Sequence, residues 1–295
     1  MLTIGTRGSK LALWQAEFIQ RKLAEIGLES QLEIIKTQGD KVQHLGFDKL
    51  EGKGFFTKEI EEALLDKRVD LAVHSLKDLP TTQPEGLTLA ALSYRADPAD
   101  MLIIRPEAVV ERATLSLGEG AKVGTSSARR KAQLRHLHSG VAAVDIRGNV
   151  PTRLSKAGTG EVDAVLLAAA GLERLALDLS HYKVIRLHPR EFVPAPGQGV
   201  MAVQIRADDM ELRRQLAALH NRTVGDCTNV ERKVLQLLGG GCQTPLGVFC
   251  EMDANGNYHA RAALAERWDA PVKLVRHSSS TFVGLAEELL RLLGA

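Results

Sequence analysis

Val162-Asp163-Ala164-Val165-Leu166-Leu167-Ala168 is a near-continuous apolar run. Such a run suits a strand covered on both faces, as in a sheet with helices above and below it. An earlier stretch, Val69-Asp70-Leu71-Ala72-Val73, has the same character. Each has a matching stretch upstream: Gly5-Thr6-Arg7-Gly8-Ser9 resembles Gly124-Thr125-Ser126-Ser127. Each half of the chain thus opens with a strand, a Gly-Thr turn and a helix, and later carries a Val-Asp strand. The pattern predicts two similar α/β domains with largely parallel sheets, facing each other across a cleft. Chance likeness of two βαβ units is the competing explanation.

Further outward, residues 2–5 read as a strand and Ser9 as a helix N-cap, with Ala12, Ala16, Ile19, Leu23 and Ile26 on one face and Gly27 at the end. Residues 31–36 read as a strand. Residues 37–56, with Gly39, Gly46, Gly52 and Gly54 among charges, read as a long mobile loop. Thr57 caps a helix rich in early glutamates. Residues 69–74, 87–92, 100–105 and 141–146 have strand character, and 127–138 form a basic helix. After about residue 220 the pattern changes. Helix 224–238 precedes strands near 246–252, 257–264 and 271–277, and a last helix aligns Phe282, Ala286, Leu289 and Leu293. This predicts a small α+β C-terminal domain.

At 295 residues the chain is too long for one typical core, so two or three domains are expected. No run of apolar residues is long enough to span a membrane. The first residues lack a basic segment followed by an apolar one, so no secretory signal is expected and the cytoplasm is the expected compartment. Cys227, Cys242 and Cys250 are odd in number without C-x-x-C spacing, which disfavours disulfides and zinc. His136 and His138 fall on different helix faces. No metal site is expected.

Net charge is only +2, but residues 122–156 hold Lys122, Arg129, Arg130, Lys131, Arg135, Arg147, Arg153 and Lys156 against the single acid Asp145. A local basic excess in a near-neutral chain points to a bounded anionic ligand. With aromatics at 4%, base stacking on nucleic acid is disfavoured.

Ligands of open α/β sheets bind at the carboxyl ends of strands. Arg7 and Ser9 follow the first strand; His74, Ser75, Lys77 and Asp78 the Val69 strand; Thr125, Ser126, Ser127, Arg129 and Arg130 the Gly124 strand; Arg147, Asn149 and Arg153 the next. Hydroxyls beside arginines at a helix start suit carboxylates or phosphates. The alternative is that the hydroxyls merely cap helices and the arginines are solvated. Asp78, before Leu79-Pro80, is the acid on this cationic surface. It could transfer a proton, or it could close a turn or pair with Lys77. Gly239-Gly240-Gly241-Cys242-Gln243-Thr244-Pro245 is an irregular loop whose thiol is either a nucleophile or attachment point, or a small buried apolar group.

Glu231-Arg232 followed by Gly240-Gly241-Cys242-Gln243-Thr244-Pro245-Leu246-Gly247 resembles the cofactor-attachment signature of the porphobilinogen deaminase (hydroxymethylbilane synthase) family. Other family landmarks follow in order: Gly5-Thr6-Arg7 with Ser9-Lys10-Leu11-Ala12-Leu13, Gly52-Lys53-Gly54-Phe55-Phe56, residues 73–80, residues 124–130, Arg147-Gly148-Asn149-Val150 with Thr152-Arg153-Leu154, and Pro194-Ala195-Pro196-Gly197-Gln198-Gly199. The resemblance implies two periplasmic-binding-protein-like α/β domains around a cleft, 1–95 with 199–219 and 96–198. A third, α+β domain at 220–295 carries the cofactor cysteine.

It further implies a dipyrromethane cofactor, thioether-linked to Cys242, on which four porphobilinogen molecules condense head to tail with loss of ammonia. Water then releases hydroxymethylbilane for tetrapyrrole biosynthesis. Asp78 would be the acid/base and would stabilise azafulvene-type cations. Lys77, Ser75, Thr125, Ser126, Ser127, Arg129, Arg130, Arg147 and Gly148 would hold the cofactor; Arg7, Ser9, Lys53, Arg147, Arg153 and Gln198 would hold substrate. The 37–56 loop with Lys53 would be a lid. Porphobilinogen and its oligomers would be the partners of a monomer, with no nucleic acid or membrane. Gly239 stands where the family usually has glutamate, Ala128 where leucine is common, and Cys227-Thr228-Asn229-Val230 is an uncommon version of its segment. The competing readings are a non-catalytic two-domain protein that binds an anionic solute, and a nucleic-acid-binding module. Of the three, only the deaminase requires a covalent adduct.

Overall fold

The computed structural model describes residues 1–37, 57–241 and 243–295. In chain order its strands and α-helices are β1 (Leu2–Thr6), α1 (Lys10–Glu25), β2 (Ser30–Ile34), α2 (Lys58–Leu65), β3 (Leu71–Ser75), β4 (Leu87–Leu92), β5 (Asp100–Ile104), β6 (Lys122–Gly124), α3 (Ala128–Leu137), β7 (Ala142–Val144), α4 (Val150–Gly158), β8 (Ala164–Ala168), α5 (Ala169–Arg174), β9 (Lys183–Leu187), β10 (Met201–Arg206), α6 (Met210–Leu216), α7 (Arg222–Leu237), β11 (Leu246–Met252), β12 (Tyr258–Leu264), β13 (Lys273–Ser279) and α8 (Leu285–Leu293). Two compact units result: Met1–Ala96 with Gly199–Asp226, and Asp97–Gln198 with Cys227–Ala295.

The first unit holds the sheet β2-β1-β3-β10-β4. Its alternating residues feed two cores. Ile4, Leu71, Val73, Val203 and Ile205 pack with Ala16, Ile19 and Leu23 of α1 on one face, while Ala72 packs with Ile60, Ala63 and Leu64 of α2 on the other. The second unit holds β7-β6-β8-β5-β9, where the Val162 run supplies β8 and is covered on both faces. The internal echo is thus a repeated topology, with three parallel strands in the order second, first, third in each sheet. The sheets are less parallel than the pattern suggested. β10 runs antiparallel to β3 and β4, and β5 runs antiparallel to β8 and β9.

Gly124 shows why the Gly-Thr turn recurs with glycine. A Cβ there would lie 2.8 Å from Ile146 Cδ1, so only glycine lets the following segment cross the strand end. Residues 246–295 form a small antiparallel-sheet domain, β11-β12-β13. Leu246, Val248 and Cys250 of β11 and Ala260 and Ala262 of β12 face α7 and α8. Phe249 and Ala263 face Val193 and Val272 on the other side. The fold is therefore two α/β domains plus a small α+β domain.

Candidate active site

In the first unit, β1 and β3 are parallel neighbours, so Arg7–Ser9 and Ser75–Asp78 leave the same edge of the sheet. Ser9 caps α1, its Oγ accepting from Ala12 N–H at 3.3 Å. Ser75 Oγ accepts from Gln15 Nε2 at 2.9 Å, which ties the end of β3 to α1. After Ser75 the chain makes one 3₁₀ turn, Leu76–Asp78. Leu76 and Leu79 are buried in a small core with Leu92, Val200 and Ala202, and Leu76 N–H is held by Val200 C=O at 2.9 Å. Two buried leucines flanking Lys77 and Asp78 leave those charged side chains outward: Asp78 is exposed and Lys77 half-buried. His74, one residue before Ser75, is buried. Its Nε2 has no hydrogen-bond partner, and burial pushes the imidazole down to about 4.

In the second unit, β6 and β7 deliver the other group of residues. Thr125 is buried and its Oγ1 accepts from Ser127 N–H at 3.3 Å. Ser126 Oγ donates to Ile146 C=O at 2.7 Å and accepts from Ile146 N–H at 3.1 Å, which staples the ends of β6 and β7 together. Ser127 caps α3 through Arg130 N–H. Arg147 is half-buried after β7. Gly148 has φ +110°, and a Cβ there would lie 2.6 Å from Thr152 Cγ2. Asn149 caps α4, and Arg153 reaches back so that its Nε donates to Gly148 C=O at 2.7 Å. This geometry gives Ser9, Ser126 and Ser127 local backbone duties in addition to any ligand.

Arg129 and Arg130, expected to fork onto ligand carboxylates, fork onto a carboxylate of the protein itself. Arg129 Nη1 donates to Asp100 Oδ2 at 2.7 Å, and Arg130 Nη2 and Nε donate to Asp100 Oδ1 at 2.6 and 3.1 Å. Gln198 Nε2 joins them at 3.0 Å from Asp100 Oδ1 and 2.8 Å from Pro98 C=O. Burial alone would raise the Asp100 carboxyl, but the two guanidiniums more than offset it and hold it far below the usual carboxylate range. Sequence reading missed Asp100. Its only signal was an acid opening an apolar strand beside Pro98. Lys53 and Cys242 lie outside the described residues.

The model of the family "Porphobilinogen deaminase, dipyromethane cofactor binding domain" matches residues 2–214. The chain belongs to the porphobilinogen deaminase family. A family protein of that name from Roseiflexus sp. is 44% identical over 296 residues, 98% of this chain and 95% of its own. Those of Nitratidesulfovibrio vulgaris and Chromobacterium violaceum are 44% and 45% identical, covering 90% and 85% of this chain and 83% and 80% of theirs. Among solved structures, the chain is similar to the periplasmic VFT2 domain of BvgS from Bordetella pertussis, at 12% identity and TM-score 0.44 over 73% of this chain and 85% of that one.

The family's dipyrromethane fits the residues present. Its acetate and propionate groups are carboxylates, and the α3 arginines include a buried Nε–H, on Arg129, that has no partner. Among the described residues no group of His, Cys, Asp or Glu is placed to hold a metal, and no helix is long and apolar enough to cross a membrane.

Proposed function

We propose that this protein condenses porphobilinogen head to tail with loss of ammonia on a dipyrromethane held by Cys242, and releases hydroxymethylbilane. The observation that carries the reading is the Lys77-Asp78 turn. In a chain of this family, two buried leucines hold a carboxylate outward at the sheet edge where α/β proteins bind ligands. Bound dipyrromethane supplies the electron-rich pyrrole carbon that accepts the incoming unit.

Asp78 does the proton work. Its carboxyl group gives a proton to the amino nitrogen of porphobilinogen, and ammonia leaves with the bonding pair. The carboxylate then faces the positive charge on the substrate's methylene carbon, and afterwards takes the proton displaced at the new ring junction. Arginines cannot share this task, because they stay protonated. Arg7 and Lys77 in the first unit, and Arg147 and Arg153 in the second, bind the acetate and propionate groups that each porphobilinogen brings; Ser75 supports the first pair, and Thr125, Ser126, Ser127, Gly148 and Gln198 support the second. The net charge of +2 supports small anionic ligands as partners rather than nucleic acid. The enzyme works as a cytoplasmic monomer.

The test is ammonia release by the purified protein supplied with porphobilinogen, with product followed in parallel. Ammonia should appear with hydroxymethylbilane in fixed proportion. Tight binding of porphobilinogen without ammonia release would leave a solute-binding protein instead.

A further inference from the structure

The reaction as derived makes no use of Asp100, yet the fold places it with care. β5 runs antiparallel to β8, so its first residue, Asp100, lies opposite Ala168 at the carboxyl end of β8. That is the edge from which Thr125–Arg130 leave β6, parallel to β8. The carboxylate is 0% exposed, and Arg129 and Arg130 are 5% and 6% exposed.

The charges do not balance. Two buried guanidiniums share one carboxylate, leaving one positive charge in excess near the start of α3, where the helix dipole adds to it. Arg130 also donates to Leu166 C=O at 2.9 Å, and Arg129 to Val193 C=O at 3.0 Å while lying 5.9 Å from the Phe192 ring centre. Arg129 Nε remains buried without a hydrogen-bond partner. Burial pulls the Arg129 guanidinium below its ordinary value. A buried ion left without its partner is strongly destabilising. Without Asp100 the two guanidiniums would repel each other with no carboxylate between them. With a second carboxylate in the protein, nothing would remain to attract a ligand.

We propose that Asp100 is a positioning residue, which orients Arg129 and Arg130 and neutralises one of them so that the pair is one carboxylate short, the carboxylate that the ligand supplies. The inference rests on the function proposed above for the nature of that ligand. Asp100 acts through the arginines and takes no part in bond making.

The test uses the full-length protein as wild type, Asp100→Asn, Asp100→Glu and the double variant Asp100→Asn/Arg130→Met. Two quantities are read: the rate at which the chain takes up the primer from porphobilinogen, by intact mass, and the unfolding midpoint in acetate against chloride at matched ionic strength. Asp100→Asn is expected to load at least about tenfold more slowly, as for loss of roughly one charged contact. Its midpoint should fall in chloride and gain more from acetate than the wild type's. The double variant restores the excess charge to that of the wild type, so it should regain the midpoint but not the loading rate. Asp100→Glu should regain part of the loading.

A merely structural role would return loading together with stability, and that result would overturn the proposal. So would wild-type loading by Asp100→Asn. If Asp100→Asn does not fold, the double variant and Asp100→Glu decide. If the wild type takes up no primer, the proposed function falls. The acetate comparison then decides the role of Asp100: a larger gain in Asp100→Asn supports it, and an equal gain overturns it.

Discussion

Asp78 is the residue on which turnover depends most in this account. Asp78→Asn keeps size and removes both charge and basicity, while Leu76 and Leu79 still hold the turn. It should leave a folded protein whose single-turnover rate on preassembled primer falls by at least ~10²-fold, with Asp78→Glu retaining more. Elongation by Asp78→Asn near the wild-type rate would assign the proton transfers elsewhere. His74 sets an acid limit on stability. Burial holds its imidazole at about 4, below its ordinary 6.5, so between those values the unfolded chain binds the proton more readily. Its contribution is therefore full above about 6.5 and is lost as pH falls to about 4, by about 3 kcal/mol across the window. His74→Gln should flatten the acid side of the stability-pH curve there; a curve parallel to the wild type's would refute this. Lys77 and Asp78 could be picked out in sequence as charged residues following a strand, while the two buried leucines that turn them outward show only in the fold. Asp100 could not be picked out, because its partners lie 29 and 30 residues away and meet it only through an antiparallel strand.

The elements show the same division. β4 and β11 coincide with the stretches read as strands, and α3 starts one residue after the predicted 127, with Ser127 as its cap. Helix α4 was not foreseen, although Asn149 caps it and a proline stands in its first turn. The direction of β10 and β5 was also hidden, since a strand's own residues do not say which neighbour it pairs with. The start of α4 carries a specific liability. Gly148→Ala would place a side chain at φ +110° and against Thr152, and would shift the carbonyl that holds Arg153. We expect a loss of about 1–3 kcal/mol in stability together with a raised KM for porphobilinogen. An unchanged KM would separate this turn from substrate binding. In α8, Leu289 is fully buried, and Leu289→Ala should destabilise the C-terminal domain by about 2–5 kcal/mol, read by denaturant unfolding.

The molecule as a whole repeats one α/β topology, with a charged turn in one unit and an arginine group in the other. The repeat was legible because glycine, hydroxyl and apolar run recur in the same order, and the C-terminal domain because strand-like stretches between two helices follow the change of pattern near residue 220. The attachment point, by contrast, rests on the resemblance of the Gly240–Gly247 stretch to the family signature. Cys227 and Cys250 are free thiols buried in the core between α7, α8 and the three-stranded sheet, where an attached pyrrole chain has no room. Intact-mass measurement of the purified full-length chain beside Cys242→Ala, Cys227→Ala and Cys250→Ala therefore tests the central claim most directly. The account predicts a mass excess of one dipyrromethane on the wild type and on the Cys227 and Cys250 variants, and none on Cys242→Ala. A wild-type chain at its bare sequence mass, or an adduct that survives in Cys242→Ala, would contradict it.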